Sequence, residues 1–198
     1  MNQQNERHSR FNELVKPHLR SLRNTAFRLA KDEMESEDIL QETLYKAYKG
    51  FSTFTPNTNF RAWIFRILVN TYLTSYRKRV RQPQKVSYND LEEFYLYQKT
   101  DNPEDFYAET PDTVSGEMFE DEVKESLEKI PYYFRLIVML YDIEGFSYND
   151  ISKIVNIPVC TVMSRLNRGR SLLRKKLKNY ARQKGYQVDS ELDMRYLK

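Results

Sequence analysis

Hydrophobic residues recur at intervals of three and four along most of this 198-residue chain. Such spacing places apolar side chains on one face of a helix, and it predicts an all-α fold. Pro17 lies within the first stripe, where it either kinks the helix or marks its true start. The apolar residues of that stripe are Phe11, Leu14, Val15, Leu19, Leu22, Ala26 and Phe27.

Two more helices are predicted to complete a first helical domain at residues 11–82, after an N-terminal tail at residues 1–10. Ser36, followed by Glu37 and Asp38, is a favourable start, because acids offset the positive end of the helix dipole. The inner face of that helix would consist of Ile39, Leu40, Thr43, Leu44 and Ala47. Asn59 can cap the next helix, whose stripe is Phe60, Trp63, Ile64, Ile67 and Leu68 and whose end is basic.

The helical pattern is interrupted at residues 83–117. Three prolines recur there, and Asp and Glu dominate, with Lys85 and Lys99 as the basic residues. This composition predicts an acidic flexible linker between two small helical domains. Regular spacing returns at Met118 and continues through a helix opened by Pro131, so the second domain is expected at residues 118–180, followed by a C-terminal tail at 181–198.

Residues 146–177 have the pattern of a helix-turn-helix. Gly145 suits the left-handed end of the preceding helix, and Ser147 with Asp150 forms a variant of the capping box. Ile151, Ile154 and Val155 repeat at helical spacing. Pro158 then fits the first turn of a second helix, because its missing N–H is not needed there. The inner face of that second helix would consist of Val162, Leu166, Leu173 and Leu177.

The second helix of this motif is strongly basic. Residues 151–188 contain ten Lys or Arg and no Asp or Glu, although the net charge of the whole chain is only +4. A solvated helix face would explain some of this charge. The turn, the caps and the absence of acids favour DNA contact instead, since Arg reads guanine and Ser or Asn reaches bases or phosphates.

Composition excludes several other functions. Five glycines argue against a phosphate-binding loop, and no apolar run approaches the length of a membrane span. One cysteine and two distant histidines form neither a disulfide nor a zinc site. We therefore expect a cytoplasmic protein with no catalytic residues, no metal and no cofactor. Cys160 lies in the first turn of the basic helix, where the helix N-terminus would make it redox-sensitive, or it is simply a small residue.

Four stretches resemble the two-domain members of the sigma-70 family, the extracytoplasmic-function (ECF) group of bacterial RNA polymerase sigma factors. They are ESEDILQETLYKAYKGFSTF, TNFRAWIFRILVNTYLTSYRKR, LEKIPYYFRLIVMLYDIEGFSYNDIS and IPVCTVMSRLNRGRSLLRKKL, and they occur in the family's order. The resemblance implies that residues 11–82 are sigma region 2 and residues 118–180 are sigma region 4. It implies a promoter-specificity subunit that binds core polymerase at its clamp and flap, with no direct membrane insertion.

Site residues follow from the resemblance position by position. The clamp contacts map onto Asp38, Gln41, Glu42, Tyr45, Lys46 and Tyr48. The minus-10 DNA contacts map onto Thr58, Asn59, Phe60, Arg61, Trp63, Arg66, Asn70, Arg77 and Lys78, although Phe60 and Trp63 fall on the apolar stripe and are better explained as core residues. The minus-35 contacts map onto Thr161, Met163, Ser164, Arg165, Asn167, Arg168 and Arg170.

Two features of the loops affect these assignments. Thr55, Pro56 and Asn57 replace the family's usual loop before the third helix, and Cys160 stands where Gly is common. The acidic linker either follows the polymerase RNA-exit path, as in the family, or is a simple tether. The resemblance also implies an anti-sigma factor that covers the polymerase- and DNA-binding faces.

Two other functions fit the helix-turn-helix. A transcription regulator would bind duplex DNA on its own, usually as a dimer on a palindrome. A protein-binding adaptor would dock its basic helix on an acidic partner. The aromatic and basic helix at residues 59–82 disfavours both, because neither needs a helix suited to DNA melting.

Overall fold

Helices are the only regular secondary structure in the described part of the protein. The computed structural model describes residues 2–30, 32–56, 58–81 and 121–186, and within these ranges there is no strand. The prediction of an all-α fold is confirmed. The predicted linker at 83–117 and residues 187–198 of the predicted tail lie outside the described residues.

The N-terminal module (residues 2–81) consists of four helices. Helix α1 spans Asn2–Val15, α2 spans Leu19–Ala30, α3 spans Glu33–Lys49 and α4 spans Phe60–Arg81. Pro17 lies in a short 3-10 turn, Lys16–His18, between α1 and α2. The single stripe that the sequence predicts is therefore divided between two helices, because proline offers no N–H and clashes with the preceding turn.

Two boundaries in this module differ from the sequence-based expectation. Residues 2–10, assigned to a tail, belong to α1, and the Arg7 guanidinium donates to the Tyr48 and Lys49 carbonyls at 2.9 and 3.2 Å. A cation is favourable there because carbonyls at a helix C-terminus lack internal partners. Helix α3 begins one turn earlier than predicted, since Asp32 rather than Ser36 caps it by accepting from the Glu35 N–H at 2.8 Å.

The C-terminal module (residues 121–186) contains four more α-helices. Helix α5 spans Asp121–Glu128, α6 spans Tyr132–Val138, α7 spans Tyr148–Val155 and α8 spans Val159–Gln183. A π-helical stretch, Met139–Ile143, continues α6 toward the turn before α7. Gly145 has φ +67°, which gives the preceding helical stretch the left-handed end predicted for it.

The two modules pack against each other, mainly through α4 and α7. The Phe65 and Phe146 rings meet edge to face with centroids 4.9 Å apart, and the Tyr76 and Tyr132 rings lie 4.3 Å apart. Their buried side chains form one continuous apolar cluster. Helix α4 is therefore covered on two sides, by its own module and by α7.

Candidate functional site

The helix-turn-helix has the predicted local geometry. Ser147 caps α7 by accepting from the Asp150 N–H at 3.1 Å, and its hydroxyl donates to the Asp150 carboxylate at 2.8 Å. Asn156 ends α7 with φ 57° and ψ 51°, a left-handed conformation that asparagine tolerates. The Ser152 hydroxyl and carbonyl both bond to Ile157, at 2.6 and 3.2 Å. These bonds fix the turn that directs α8 away from α7.

The inner face of α8 includes a glycine that the sequence analysis did not single out. Val162, Leu166 and Gly169 are buried at spacings of four and three. A Cβ at position 169 would lie 2.7 Å from Val138 Cγ2 and 3.4 Å from Phe134 Cβ. Only glycine therefore allows α8 to approach α6 so closely. A lone Gly inside a helical pattern is the signal that could have indicated this contact.

The outward face of α8 follows from this burial. Residues opposite the buried row recur at spacings of four, three and four: Cys160, Ser164, Asn167 and Ser171. Cys160 and Asn167 are exposed, and the two serines are half-buried. The resemblance placed Ser164 and Asn167 among the DNA contacts but not Cys160 or Ser171. The outward row therefore begins with short side chains, and the basic residues Arg174, Lys175 and Lys178 follow toward the C-terminus.

The other predicted minus-35 residues lie on the flanks of α8. Thr161, Met163 and Arg168 are half-buried, and the Arg165 guanidinium lies over the Tyr133 ring, 5.8 Å from its centroid. Arg170 donates to both carboxylate oxygens of Asp142, with Nε at 3.1 Å from Oδ2. The guanidinium groups of Arg165 and Arg170 are thus engaged within the module, whereas Asn167 is exposed.

Helix α4 carries the predicted minus-10 residues on two different surfaces. Asn59 caps the helix by accepting from the Ala62 N–H at 3.0 Å, as predicted. Arg66 and Asn70 are exposed one turn apart, and Arg77 and Lys78 are exposed further along. Thr58, in the preceding loop, is also exposed. These side chains form one solvent-facing polar surface, which continues from the loop along the helix.

Phe60 and Trp63 belong to an aromatic cluster rather than to that surface. Phe60 is buried, and its ring meets those of Phe11, Phe51 and Phe54. Trp63 is half-buried at the edge of the cluster, 5.3 Å from the Phe54 ring and 5.5 Å from that of Phe60. The preference for core residues over base wedges is therefore supported for Phe60, whereas Trp63 keeps an accessible edge.

Arg61 lies at the contact between the two modules. Its Nη2 is 2.8 Å from Glu144 Oε2, and its guanidinium lies over the Phe146 ring, 4.3 Å from the centroid. Burial, followed by the nearby charge of Arg61, lowers the pKa of His18. In this conformation Arg61 faces the C-terminal module and not the solvent-facing polar surface of α4.

The polar face of α3 carries five of the six residues assigned to the polymerase clamp. Asp38, Gln41, Glu42 and Lys46 are exposed, and the Tyr45 side chain is 63% exposed. Tyr48 differs, because its half-buried ring packs against Phe11 and His8 and beneath Arg7. A large exposed aromatic among exposed polar residues is typical of a protein-binding surface.

Metal sites and membrane-spanning helices are two further kinds of feature, and the described residues give no sign of either. Within the described ranges, no group of three or more His, Cys, Asp or Glu side chains could hold a metal ion. None of the helices in the same ranges is long and apolar enough to cross a membrane.

Two family models match the chain, each to one module. Sigma-70 region 2 matches residues 14–82, and Sigma-70 region 4 matches residues 120–173. Among curated relatives, the ECF RNA polymerase sigma factor EcfG of Rhodopseudomonas palustris is 32% identical over 77% of this chain and 77% of its own length. SigW of Bacillus subtilis is 31% identical over 77% of this chain and 81% of its own. SigE of Mycolicibacterium smegmatis is 30% identical over 83% of this chain, which spans 60% of that relative.

Two solved structures share the fold of this chain. The sigma factor RpoE of Bartonella quintana, in complex with the anti-sigma factor NepR, superposes with a TM-score of 0.64 at 26% identity. That match covers 85% of this chain and 96% of the Bartonella chain. CnrH, in complex with the cytosolic domain of CnrY, has the same fold, with a TM-score of 0.57 at 23% identity over 85% of this chain and 88% of its own.

Proposed function

The chain belongs to the sigma-70 family of RNA polymerase sigma factors, within its ECF group, and we propose that it directs core polymerase to promoters with two spaced elements. The observation that carries this proposal is the pairing of a region 2 module with a region 4 module whose outer helix is basic. Each module offers a solvent-facing polar surface of the kind that nucleic acid requires. The polymerase would supply the chemistry of RNA synthesis.

The exposed face of α3 is the proposed contact with the polymerase clamp. Tyr45 is the strongest candidate, because an exposed aromatic side chain can be buried at an interface with little loss of conformational entropy. Asp38, Gln41 and Glu42 surround it with acceptors for basic or amide partners. Tyr48 is left out of this contact, since its ring supports the packing of α1 on α3.

The solvent-facing surface of α4 is the proposed minus-10 contact. Asn70 can donate to and accept from an unstacked base, while Arg66 and Arg77 can neutralise phosphates beside it. The loop at Thr58 and Asn59 begins this surface. Trp63, with its accessible edge, is close enough to the loop to stack on a base there.

The outward row of α8 is the proposed minus-35 contact. A helix that enters the major groove reads bases mainly with its N-terminal residues, and Ser164 and Asn167 are the polar residues of that part of the row. Lys175 and Lys178 are suited to the flanking phosphates. The flap contact and the role of residues 83–117 in the RNA-exit path belong to the same proposal and rest on the family alone.

An anti-sigma factor is the proposed regulator of this protein. The Bartonella neighbour is in complex with such a factor, and the shared fold extends over both modules. We propose that a comparable partner covers the polymerase- and DNA-binding faces of this chain under resting conditions. Recovery of polymerase alone in a pull-down from resting cells would contradict this part of the proposal.

In vitro transcription is the direct test. Core polymerase with and without the protein would transcribe a fragmented genomic library, and transcript starts would be mapped. We expect discrete new starts that share two upstream motifs. We also expect Tyr45→Ala to weaken binding to core polymerase and Asn70→Ala to impair opening of the minus-10 region. Lys129→Ala, in the turn directly after α5 and away from all three surfaces, is the control and should leave the starts unchanged.

The absence of core-dependent starts would have one of two explanations. A transcription regulator would bind duplex DNA tightly without polymerase, and it would give no core-dependent starts. That combination would replace the sigma-factor proposal by the regulator. Protein that binds core polymerase normally but gives no starts would instead contradict the promoter-reading role alone.

A further inference from the structure

A buried carboxylate of the C-terminal module enters the N-terminal module. Glu144 is 6% exposed and follows the π-helical stretch. Its Oε1 accepts from the Thr25 hydroxyl at 2.8 Å, and its Oε2 accepts from Arg61 at 2.8 Å and from the Ser21 hydroxyl. Three donors from α2 and α4 therefore converge on one carboxylate from the other module.

The donors match what a buried carboxylate requires. Burying an ionised group is costly unless a counter-charge and hydrogen bonds replace its water, and this site supplies one guanidinium and two hydroxyls. Thr25 is fully buried, so its hydroxyl also depends on this contact. Arg28 lies nearby: burial lowers its pKa, and the charge of Glu144 opposes that change. Loss of the carboxylate would leave buried donors without an acceptor.

An aromatic contact accompanies the carboxylate. Gly145, with φ +67°, turns the chain so that Phe146 returns to the same surface. The Arg61 guanidinium lies 4.3 Å from the Phe146 centroid and 5.4 Å from that of Phe65, while the two rings meet edge to face. The segment Glu144–Phe146 thus inserts a carboxylate and a ring, two residues apart, beside Arg61.

We propose that Ser21, Thr25 and Arg61 form a carboxylate-binding site on the N-terminal module, and that Glu144 is its intramolecular ligand and holds the two modules closed. In this closed state Arg61 is withheld from DNA. The withholding of Arg61 rests on the proposed function and on the minus-10 role that the family resemblance assigns to Arg61. The binding site and the closure do not depend on that assumption.

Promoter geometry requires the contact to open. Elements at minus 10 and minus 35 are separated by about 25 base pairs, or roughly 80 Å at about 3.4 Å per base pair. The 25-residue helix α8 is itself only about 37 Å long, and its module is in direct contact with α4. Closed modules therefore cannot occupy both elements. The modules are joined by 39 residues, 82 to 120, and covalent geometry limits the reach of that number of residues to about 130 Å, which exceeds the required separation.

Small-angle X-ray scattering of the full-length chain without polymerase or DNA tests the closure. Glu144→Gln keeps the shape of the side chain but removes the charge that pairs with Arg61. Ser21→Ala removes one of the two hydroxyl groups through which the N-terminal module donates to Glu144. The matched control is Glu125→Gln, which makes the same change in charge. Glu125 is exposed on α5, and its partner is Lys129 in the following turn of the same module, at 3.0 Å. Far-UV circular dichroism establishes that each variant is folded.

We expect Glu144→Gln to increase the radius of gyration, Ser21→Ala to increase it less, and Glu125→Gln to leave it unchanged. Folded Glu144→Gln and Ser21→Ala proteins with the wild-type radius of gyration would overturn the proposal.

Binding to a random single-stranded oligonucleotide pool measures the consequence for Arg61. If closed molecules predominate, Glu144→Gln should bind about three- to tenfold more tightly than Glu125→Gln. Equal affinities would overturn the withholding of Arg61, whatever the outcome of the transcription test.

Discussion

The Arg170 guanidinium donates to both carboxylate oxygens of Asp142 and lies over the Tyr141 ring, 5.1 Å from its centroid. This contact joins α8 to the stretch that precedes the helix-turn-helix. Tyr141 in turn stacks on Tyr148 at the start of α7, with the ring centroids 4.8 Å apart. Arg170, which the family resemblance assigns to minus-35 DNA, thus has the geometry of a residue that orients α8.

Substitution of Asp142 distinguishes the two roles of Arg170. If Arg170 orients α8, Asp142→Asn should weaken binding to minus-35 duplex DNA, and Arg170→Ala should add little to that loss. If Arg170 reads a base, Asp142→Asn should free it and strengthen binding. We expect the first result, with a coupling of about 1 to 2 kcal/mol in a double-mutant cycle of urea unfolding. Arg174→Ala, exposed on the same helix, is the control for loss of one positive charge.

Gly169 should not tolerate a methyl group. A Cβ at this position would lie 2.7 Å from Val138 Cγ2, and the branched Val138 side chain has little rotamer freedom within a helix. Overpacking typically costs about 1 to 3 kcal/mol, which exceeds the gain of roughly 1 kcal/mol in helix propensity from Gly to Ala. We therefore expect Gly169→Ala to lower the free energy of unfolding in urea. Val138→Ala should restore part of it in the double variant, and equal stability of the single variant would contradict the close approach.

The sequence was sufficient for the elements that depend on local chemistry. Asn59 and Ser147 cap helices as predicted, because a cap needs only a side chain two or three residues from the N–H it satisfies. Gly145 likewise adopts its left-handed conformation as predicted. The helical stripes were also predictable, because burial on one face leaves a period near 3.6 residues in the sequence.

Contacts between distant residues were not predictable in the same way. Arg61 lies just after a capped helix start and is a residue type typical of DNA contacts. Its partner Glu144 lies 83 residues further along the chain, so no local pattern connects the two. Phe65 falls outside the predicted stripe of α4, yet it is fully buried and its ring meets Phe146 of the other module. The contact between Asp142 and Arg170 is a second example. The two residues are 28 positions apart, so local spacing does not distinguish Arg170 from the outward residues of α8. Local spacing cannot reveal which of two exposed-looking faces a second module covers.

Asn167 and Lys175 should affect DNA binding differently. Asn167 is exposed in the N-terminal half of α8, so Asn167→Ala should cost about 1 to 3 kcal/mol on a minus-35 duplex but little on random duplex. Lys175 lies two turns later, so Lys175→Ala should weaken binding to both duplexes and reduce the salt slope by about 1. Fluorescence anisotropy over a salt series measures both quantities. If Asn167→Ala lost the same binding free energy on specific and on random DNA, Asn167 would not read a base.

Tyr148 should make the stability of the protein fall at alkaline pH. Burial, followed by the hydrogen bond to Tyr141, raises the pKa of Tyr148 from 10.0 to about 12. The folded state thus favours the neutral phenol, whose contribution is complete below pH 10 and is lost as the pH rises through about 12. Urea midpoints measured from pH 8 to 12 should fall less steeply for Tyr148→Phe. Some slope should remain, because burial also raises the pKa values of Tyr72 and Tyr132. Identical profiles for the wild type and Tyr148→Phe would show that the phenol titrates alike in both states.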